Sequence, residues 1–360
     1  MHRNALGWSL TAFLAVAACG GGDRPAPARP AADSAAGPAA PGGTLAYVTN
    51  EGSGEVTVLD VATDSAIATI PVGTRPRGAR VSPDGRTLFV ALSGSPRCPP
   101  TMPDAECEKL KADKSKDGIG EIDLASRKVI RVLPGGSDPE AFDLSRDGTR
   151  LFVSNEDANA ATFVDLASGK VVKTVSVGRE PEGVELHPDG KTVWVTGETD
   201  HNITVLDTDS GKVITRIETG KRPRDLVFNA DGSRAYVSSE VGGTVDIVDA
   251  RAYKVLKTLK MPEGAKPMGL ALSPDGRRLY VANGRAGTVS LVDLGADSVV
   301  ASVEVGTRPW GIGLTPDGSK LYTANGPSNN VTVVDAETMK VLKKVPAGEL
   351  PWGVVTGRAP

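Results

Sequence analysis

The chain has 360 residues, with 41 Lys and Arg against 44 Asp and Glu, 42 Gly, 26 Pro and 4% aromatic side chains. This length buries a core large enough for one self-sufficient domain, and so many glycines and prolines suit numerous short strands joined by turns. A net charge of −3 with both signs interspersed gives no electrostatic reason for a nucleic-acid partner.

In chain order, residues 1–19 read as an export signal. His2 and Arg3 precede a mostly apolar run from Leu6 to Ala18. As a helix this run reaches only about 20 Å, short of a bilayer core of roughly 30 Å, so a signal is favoured over a span. Val16-Ala17-Ala18-Cys19 resembles a bacterial lipobox, whose cysteine is acylated and becomes the mature N-terminus. The expectation is a protein anchored through a lipid on Cys19 at the periplasmic side of the cell envelope. Gly20 after the cysteine favours the outer membrane where one exists. Residues 20–43 are rich in Gly, Ala, Pro and Asp without periodicity and predict a disordered tether.

From residue 44 to 357 the chain repeats. Arg308 to Gly348 shows one unit: four short apolar runs (GIGLT, KLYTAN, NVTVVD, KVLKKVPAG) separated by turn chemistry. Pro316-Asp317-Gly318 makes a tight hairpin, and Asp335 caps the turn after the third run. The opening proline recurs as Pro76, Pro139, Pro181, Pro223, Pro267, Pro309 and Pro351, and the closing aspartate as Asp60, Asp123, Asp165, Asp207, Asp249, Asp293 and Asp335. A four-stranded meander cannot bury both faces alone, so copies must stack. The frame opens on a second-strand sequence at Thr44 and stops after a first-strand sequence at Pro351, so the two ends complete one another. The prediction is an all-β, seven-bladed β-propeller of four-stranded antiparallel blades, its ring closed by N-terminal strands pairing with the C-terminal strand.

The first complete copy carries an insertion at about 94–118, between its second and third strands, which places it beside the mouth of the central channel. It is read as either a lid or docking element or a plain loop. Cys98 and Cys107 lie within it, and in an oxidising compartment they predict a disulfide.

Features shared by every copy have an adequate structural reason, so chemistry is sought where the copies differ. The residues flanking the prolines read Arg75/Arg77, Asp138/Glu140, Glu180/Glu182, Arg222/Arg224, Lys266/Met268, Arg308/Trp310 and Leu350/Trp352. Deeper in the channel strand come Arg80, Asp143 and Glu185 on one side, with Val227, Ala271, Gly313 and Val355 on the other. Buried charges must pair or bind something. One reading is salt bridges between blades, Arg75 and Arg77 with Asp138 and Glu140, and Arg222 and Arg224 with Glu180 and Glu182. The other is a funnel for a charged or cyclic ligand, with Trp310 and Trp352 as a stacking wall. Asn155, Glu156, Glu198, Glu240, Asn283 and Asn325, at second-strand ends, are expected to form an outer rim. Asp143, Glu182, Glu185 and Asn155 form a candidate Ca²⁺ set, although no metal site is assigned. His187 and His201 are read as turn or surface residues.

LAYVTNEGSGEVTVLD, RLYVANGRAGTVSLVD and KLYTANGPSNNVTVVD resemble the bacterial and archaeal YVTN-type propeller repeat over residues 44–357. PVGTRPRGARVSPDG, DPEAFDLSRDG, EPEGVELHPDG, KRPRDLVFNADGSRAYVSSEVGGTVDIVD and LPWGVV look more narrowly like the propellers associated with PQQ-dependent (quinoprotein) alcohol catabolism. That resemblance implies a quinoprotein dehydrogenase and a c-type cytochrome as partners, and no catalytic residues. Three functions follow: a monomeric, lipid-anchored binding or scaffold protein; a lactonase-like hydrolase with Glu182 or Glu185 as general base; or a binder of a quinone or tetrapyrrole redox cofactor, with Arg side chains on its carboxylates.

Overall fold

The computed structural model describes residues 42–97, 102, 104–107 and 109–359. The signal, the Cys19 anchor, nearly all of the tether, Cys98 and the side chain of Cys107 lie outside the described residues, and with them the expected disulfide. No described helix is long and apolar enough to cross a membrane.

Seven four-stranded antiparallel sheets make the ring. We number the blades by their place in the chain. Blade 1 comprises Thr44–Asn50, Glu55–Asp60 and Ser65–Pro71, with Pro351–Arg358 as its inner strand. The inner strands of blades 2 to 7 are Ala79–Val81, Pro139–Leu144, Pro181–Leu186, Pro223–Phe228, Pro267–Leu272 and Pro309–Leu314. The predicted strands close the ring, with Tyr47 opposite Val355 and Val48 opposite Val354.

Local chemistry explains each blade. At the hairpin of blade 7, the Gly318 amide donates to the Thr315 carbonyl at 2.8 Å and Gly318 takes φ of 73°, which suits a residue without Cβ. Asp335 Oδ1 accepts from the Thr338 amide at 2.7 Å, forming the expected Asx turn. Alternate residues of the middle strands pack between blades. Ala46, Val48 and Leu59 of blade 1 meet Tyr322, Val331 and Val333 of blade 7, while Tyr47 and Val58 meet Leu88 and Val90 of blade 2. The core is therefore shared by neighbours all round the ring, and no blade has one of its own.

Two features of this scaffold position the site. Every residue before an opening proline, from Arg75 to Leu350, has a positive φ, between 44° and 60°. Proline disfavours the right-handed helical region for its predecessor, and the left-handed turn is held by hydrogen bonds. The Asp138, Glu180, Arg222 and Leu350 carbonyls accept from the amides of Glu156, Glu198, Glu240 and Glu51, at 2.9 to 3.1 Å. Each of these links ties the residue after a second strand to the start of an inner strand. Inner strands also approach closely: a Cβ at Gly183 would lie 2.5 Å from the Arg224 carbonyl, and one at Gly311 would lie 2.6 Å from the Trp352 carbonyl.

The insertion lies between the second and third strands of blade 2, and its described parts are stapled toward blade 3. Asp117 accepts from the Gly94 amide (2.7 Å) and the Asp138 amide (3.0 Å), and Lys114 Nζ reaches Ser95 Oγ (2.7 Å) and the Asp157 carboxylate. Asp104–Cys107 is a single helical turn.

Candidate functional site

Two positions in each blade converge at one opening of the bore: the residue after the opening proline and the residue after the second strand. In blades 1 to 5 they assemble two arginine-centred clusters. Arg77 contacts the Glu140 carboxylate, lies 3.2 Å from Glu51 and 3.7 Å from Glu156, while Arg75 reaches Glu51 at 2.9 Å and the Ser95 carbonyl at 2.6 Å. Arg224 contacts Glu198, lies 2.5 Å from Glu182 and 3.4 Å from Glu240, and Arg222 reaches Glu198 at 2.5 Å and Glu240 at 3.4 Å. Glu140 and Glu198 are buried. In blades 6, 7 and 1 the inner position becomes Met268, Trp310 and Trp352. The two indoles stack 6.3 Å apart at 24°, and the Arg224 and Arg308 guanidiniums lie 5.3 and 4.9 Å from the Trp310 ring, within cation–π range.

Between the charged arc and the tryptophans opens a cavity of about 850 Å³, lined by Glu51, Arg77, Glu156, Arg224, Trp310 and Trp352 among others and bordered by Ser95, Pro96, Leu110 and Ala112 of the insertion. A volume of this order holds a small organic ligand. Below it a smaller space of about 110 Å³ opens between the seven inner strands. There Arg80 spans Asp143 (3.4 Å) and Glu185 (3.1 Å). Asp143 also accepts from the Leu144 and Leu186 amides, and Asp225 accepts from the Leu226 and Leu270 amides, each at 2.8 to 2.9 Å. Each carboxylate thereby ties one inner strand to the next.

Carboxylates outnumber guanidiniums, and the surplus shows in their protonation. Burial pushes Glu185 up to about 8, with the Asp143 charge adding to it and Arg80 opposing. Burial raises Asp225 to about 6 against the amides it accepts from. Glu156 rises to about 7, through burial first and the Glu182 charge next. Burial also pushes Glu51 up, but Arg77 and Arg75 outweigh it and hold the carboxyl below its usual value. For the three raised groups the folded state binds more protons than the unfolded chain. Their linkage is favourable below the unfolded carboxyl values and is lost as pH rises from about 4.5 through 8. Turn aspartates such as Asp123 and Asp335, held low by hydroxyl and amide donors, act in the opposite sense only below about pH 4. The protein is therefore expected to melt at a lower temperature at pH 8.5 than at pH 5.5, and Glu185→Gln should flatten that slope. Calorimetry across this range checks it, and an unchanged slope in the variant would remove Glu185 as its source.

The residues read from sequence distribute unevenly. Arg77, Arg80, Glu140, Asp143, Glu182, Glu185, Arg224, Trp310 and Trp352 face the mouth or bore, joined by Glu156, Glu198 and Glu240. Two expected pairings form, Arg77 with Glu140 and Arg224 with Glu182, whereas Arg75 and Arg222 turn to Glu51 and Glu198 instead of Asp138 and Glu180. Asp138 accepts from Ser93, and exposed Glu180 accepts from Thr199. Asn155, Asn283 and Asn325 do not form a rim. They are buried inside their blades, donating to the hydroxyls of Thr162, Ser290 and Thr332. The last residue of a second strand faces into the blade, and the next residue, a glutamate in four blades, faces the mouth.

The Ca²⁺ set is likewise dispersed, since Asn155 is spent inside blade 3. The described carboxylates that do converge are Asp138, Glu140 and Glu156, but Arg77 already supplies their cation. His187 Nε2 meets the Gly232 carbonyl and His201 Nδ1 meets the Glu198 carbonyl, both at 2.8 Å, in turn roles. Two participants escaped sequence reasoning. Glu51 shares the repeat position of Glu156, Glu198 and Glu240, and Asp225 stands where the other inner strands carry Gly or Ala. Aligning every repeat position, beyond those around the prolines, would have found both.

Fold and opening together define a seven-bladed β-propeller with a charged, tryptophan-walled mouth. Residues 211–351 match the family model of the seven-bladed β-propeller lactonases, and residues 105–188 match that of the YNCE-like β-propellers. Neither match concerns quinoprotein-dependent alcohol catabolism. Among curated proteins none matches the sequence significantly. Many solved structures share the fold. Hydrazine synthase of Kuenenia stuttgartiensis is 24% identical (TM-score 0.68, covering 81% of this chain and 92% of that one). A "putative 6-phosphogluconolactonase" of Bacteroides fragilis is 17% identical (TM-score 0.72, 88% and 98%), and a protein of Lactobacillus plantarum 18% (TM-score 0.72, 88% and 99%).

Proposed function

We propose that this propeller is a small-molecule-binding protein of the cell envelope, tethered by a lipid on Cys19, whose mouth cavity takes a hydroxyl-rich ring compound. One observation carries the reading. Six mouth carboxylates (Glu51, Glu140, Glu156, Glu182, Glu198, Glu240) face four guanidiniums (Arg75, Arg77, Arg222, Arg224) across from a stacked tryptophan pair. The guanidiniums are already engaged, and ionised carboxylates only accept hydrogen bonds, so the unused lone pairs of Glu51, Glu156 and Glu240, which line the cavity, call for donors such as hydroxyls. The indole faces supply the apolar platform on which the C–H face of a ring can lie.

Lactone hydrolysis is the second reading, favoured by the lactonase-family match and by Glu156, which lines the cavity with its carboxyl raised to about 7. A base poised near neutrality suits activation of a water. This moves the base away from Glu182, held by Arg224, and from Glu185, which Arg80 holds and which does not line the mouth cavity. Partnership with a quinoprotein dehydrogenase rests on the sequence resemblance alone.

Titration of tryptophan emission with glucono-δ-lactone and with gluconate tests both readings. Binding predicts a saturable change that Trp352→Ala weakens by about tenfold, and hydrolysis predicts ring opening faster than the uncatalysed rate, followed by pH-stat, that Glu156→Gln returns to that rate. No saturable response to either compound would refute the binding reading. Cys19→Ser should release the protein from membranes, and retention there would refute the anchor.

A further inference from the structure

Every inner-mouth arginine of blades 2 to 5 has a carboxylate partner, and the two cations opening blades 6 and 7 do not. Among the described residues Lys266 and Arg308 form no ion pair, and neither does Arg285, which follows the second strand of blade 6 by two residues. The cause is visible in the repeat. Arg75 and Arg222 each pair with the glutamate that follows the second strand of the preceding blade, Glu51 and Glu198. For Arg308 the corresponding residue is Gly284, so the carboxylate is missing. For Lys266 it is Glu240, which lies 3.4 Å from both Arg222 and Arg224.

A side pocket of about 340 Å³ lies between blades 6 and 7, lined by Lys266, Arg285, Arg308, Gly284, Met268, Trp310 and Glu240. Three cations therefore surround a pocket whose one carboxylate is already taken, beside an indole face. Unpaired cations converging on a concave site recruit an oxyanion, and guanidiniums do so in a fixed fork geometry.

We infer that this side pocket is an oxyanion subsite, holding a carboxylate or phosphate of a ligand whose flat body lies on Trp310. The inference deepens the reading of a ligand-binding mouth by giving the ligand an anionic end. Arg308 anchors the anion from the Trp310 side, and Lys266 and Arg285 close on it from blade 6, with no carboxylate at Gly284 to compete.

Calorimetric titration at low ionic strength tests it with two probes, pyrophosphate and benzene-1,3,5-tricarboxylate, alongside the neutral and hydrolytically stable methyl β-glucopyranoside. Saturable binding of at least one anion is expected, and which one binds identifies phosphate or carboxylate as the group recognised. Arg308→Gln should weaken that anion roughly tenfold or more, and Arg285→Gln, outside the lining of the mouth cavity, should weaken it while changing glucoside binding less than about twofold. Arg285 is exposed, so Arg285→Gln is the variant least able to disturb folding. Failure of both anions to bind, or equal affinity in wild type, Arg308→Gln and Arg285→Gln, overturns the subsite. Glucoside binding without anion binding overturns only the subsite, and anion binding without glucoside binding overturns only the hydroxyl-rich ligand.

Discussion

A chain ending at residue 350 should yield no folded propeller. Pro351–Arg358 is the inner strand of blade 1 and pairs antiparallel with Thr44–Asn50, whose residues from Leu45 onward are buried. Removing it uncovers that strand's hydrogen-bonding edge and takes away Trp352 and Gly353, against which blade 7 packs. The ring is then cut, and both new edges invite pairing with other chains. Because the core is shared between neighbours, the loss propagates, and a cost on the order of 10 kcal/mol consumes the usual stability of a domain. Circular dichroism and size-exclusion chromatography should show an unfolded or aggregated product. A circular permutant joining Ala359 to Gly42 through a short Gly-Ser linker and opened at Gly135-Gly136 should remain folded, because it keeps every strand pair. A folded, monomeric truncation would show that the terminal strand is dispensable.

Arg224→Met should be the most damaging single substitution at the mouth. Arg224 is nearly buried and lies against Glu182, Glu198 and Glu240, of which Glu198 is 2% exposed. Methionine keeps much of the volume and removes the charge, leaving three carboxylates facing each other in a poorly solvated site. Breaking a buried ion pair from one side costs about 3–5 kcal/mol. Urea denaturation should report a loss of this size at pH 8 and a smaller one at pH 5, where protonation relieves the repulsion. Adding Glu198→Gln to Arg224→Met should recover part of it, since the two residues share one contact. A loss below about 1 kcal/mol at pH 8 would mean that the cluster is solvated and contributes little.

The sequence pattern carries the ring because its determinants are local. Proline at the head of each inner strand, Pro-Asp-Gly hairpins and the aspartate after each third strand fix blade geometry within a few residues, and counting them fixes seven blades. The mouth was only partly legible. Its contacts cross from blade to blade, so Arg75 finds Glu51 and Arg222 finds Glu198, partners that no local spacing announces. The misplaced asparagines show how fine the distinction is. Asn155 and Glu156 are adjacent, yet one is spent on Thr162 inside the blade and the other looks into the cavity. A one-residue offset at a strand end reverses the face. Asp225 and Gly284 were overlooked for a related reason: each is unremarkable alone and informative only beside its six counterparts.

The most direct test of the account is a crystal structure of the protein soaked with methyl β-glucopyranoside, a hydroxyl-rich ring that stays closed in water. The account predicts the ring lying on Trp310 and Trp352, its hydroxyls donating to mouth carboxylates that include Glu156. Density for the ligand outside the mouth, or an ordered water network filling the cavity at saturating ligand, would contradict it.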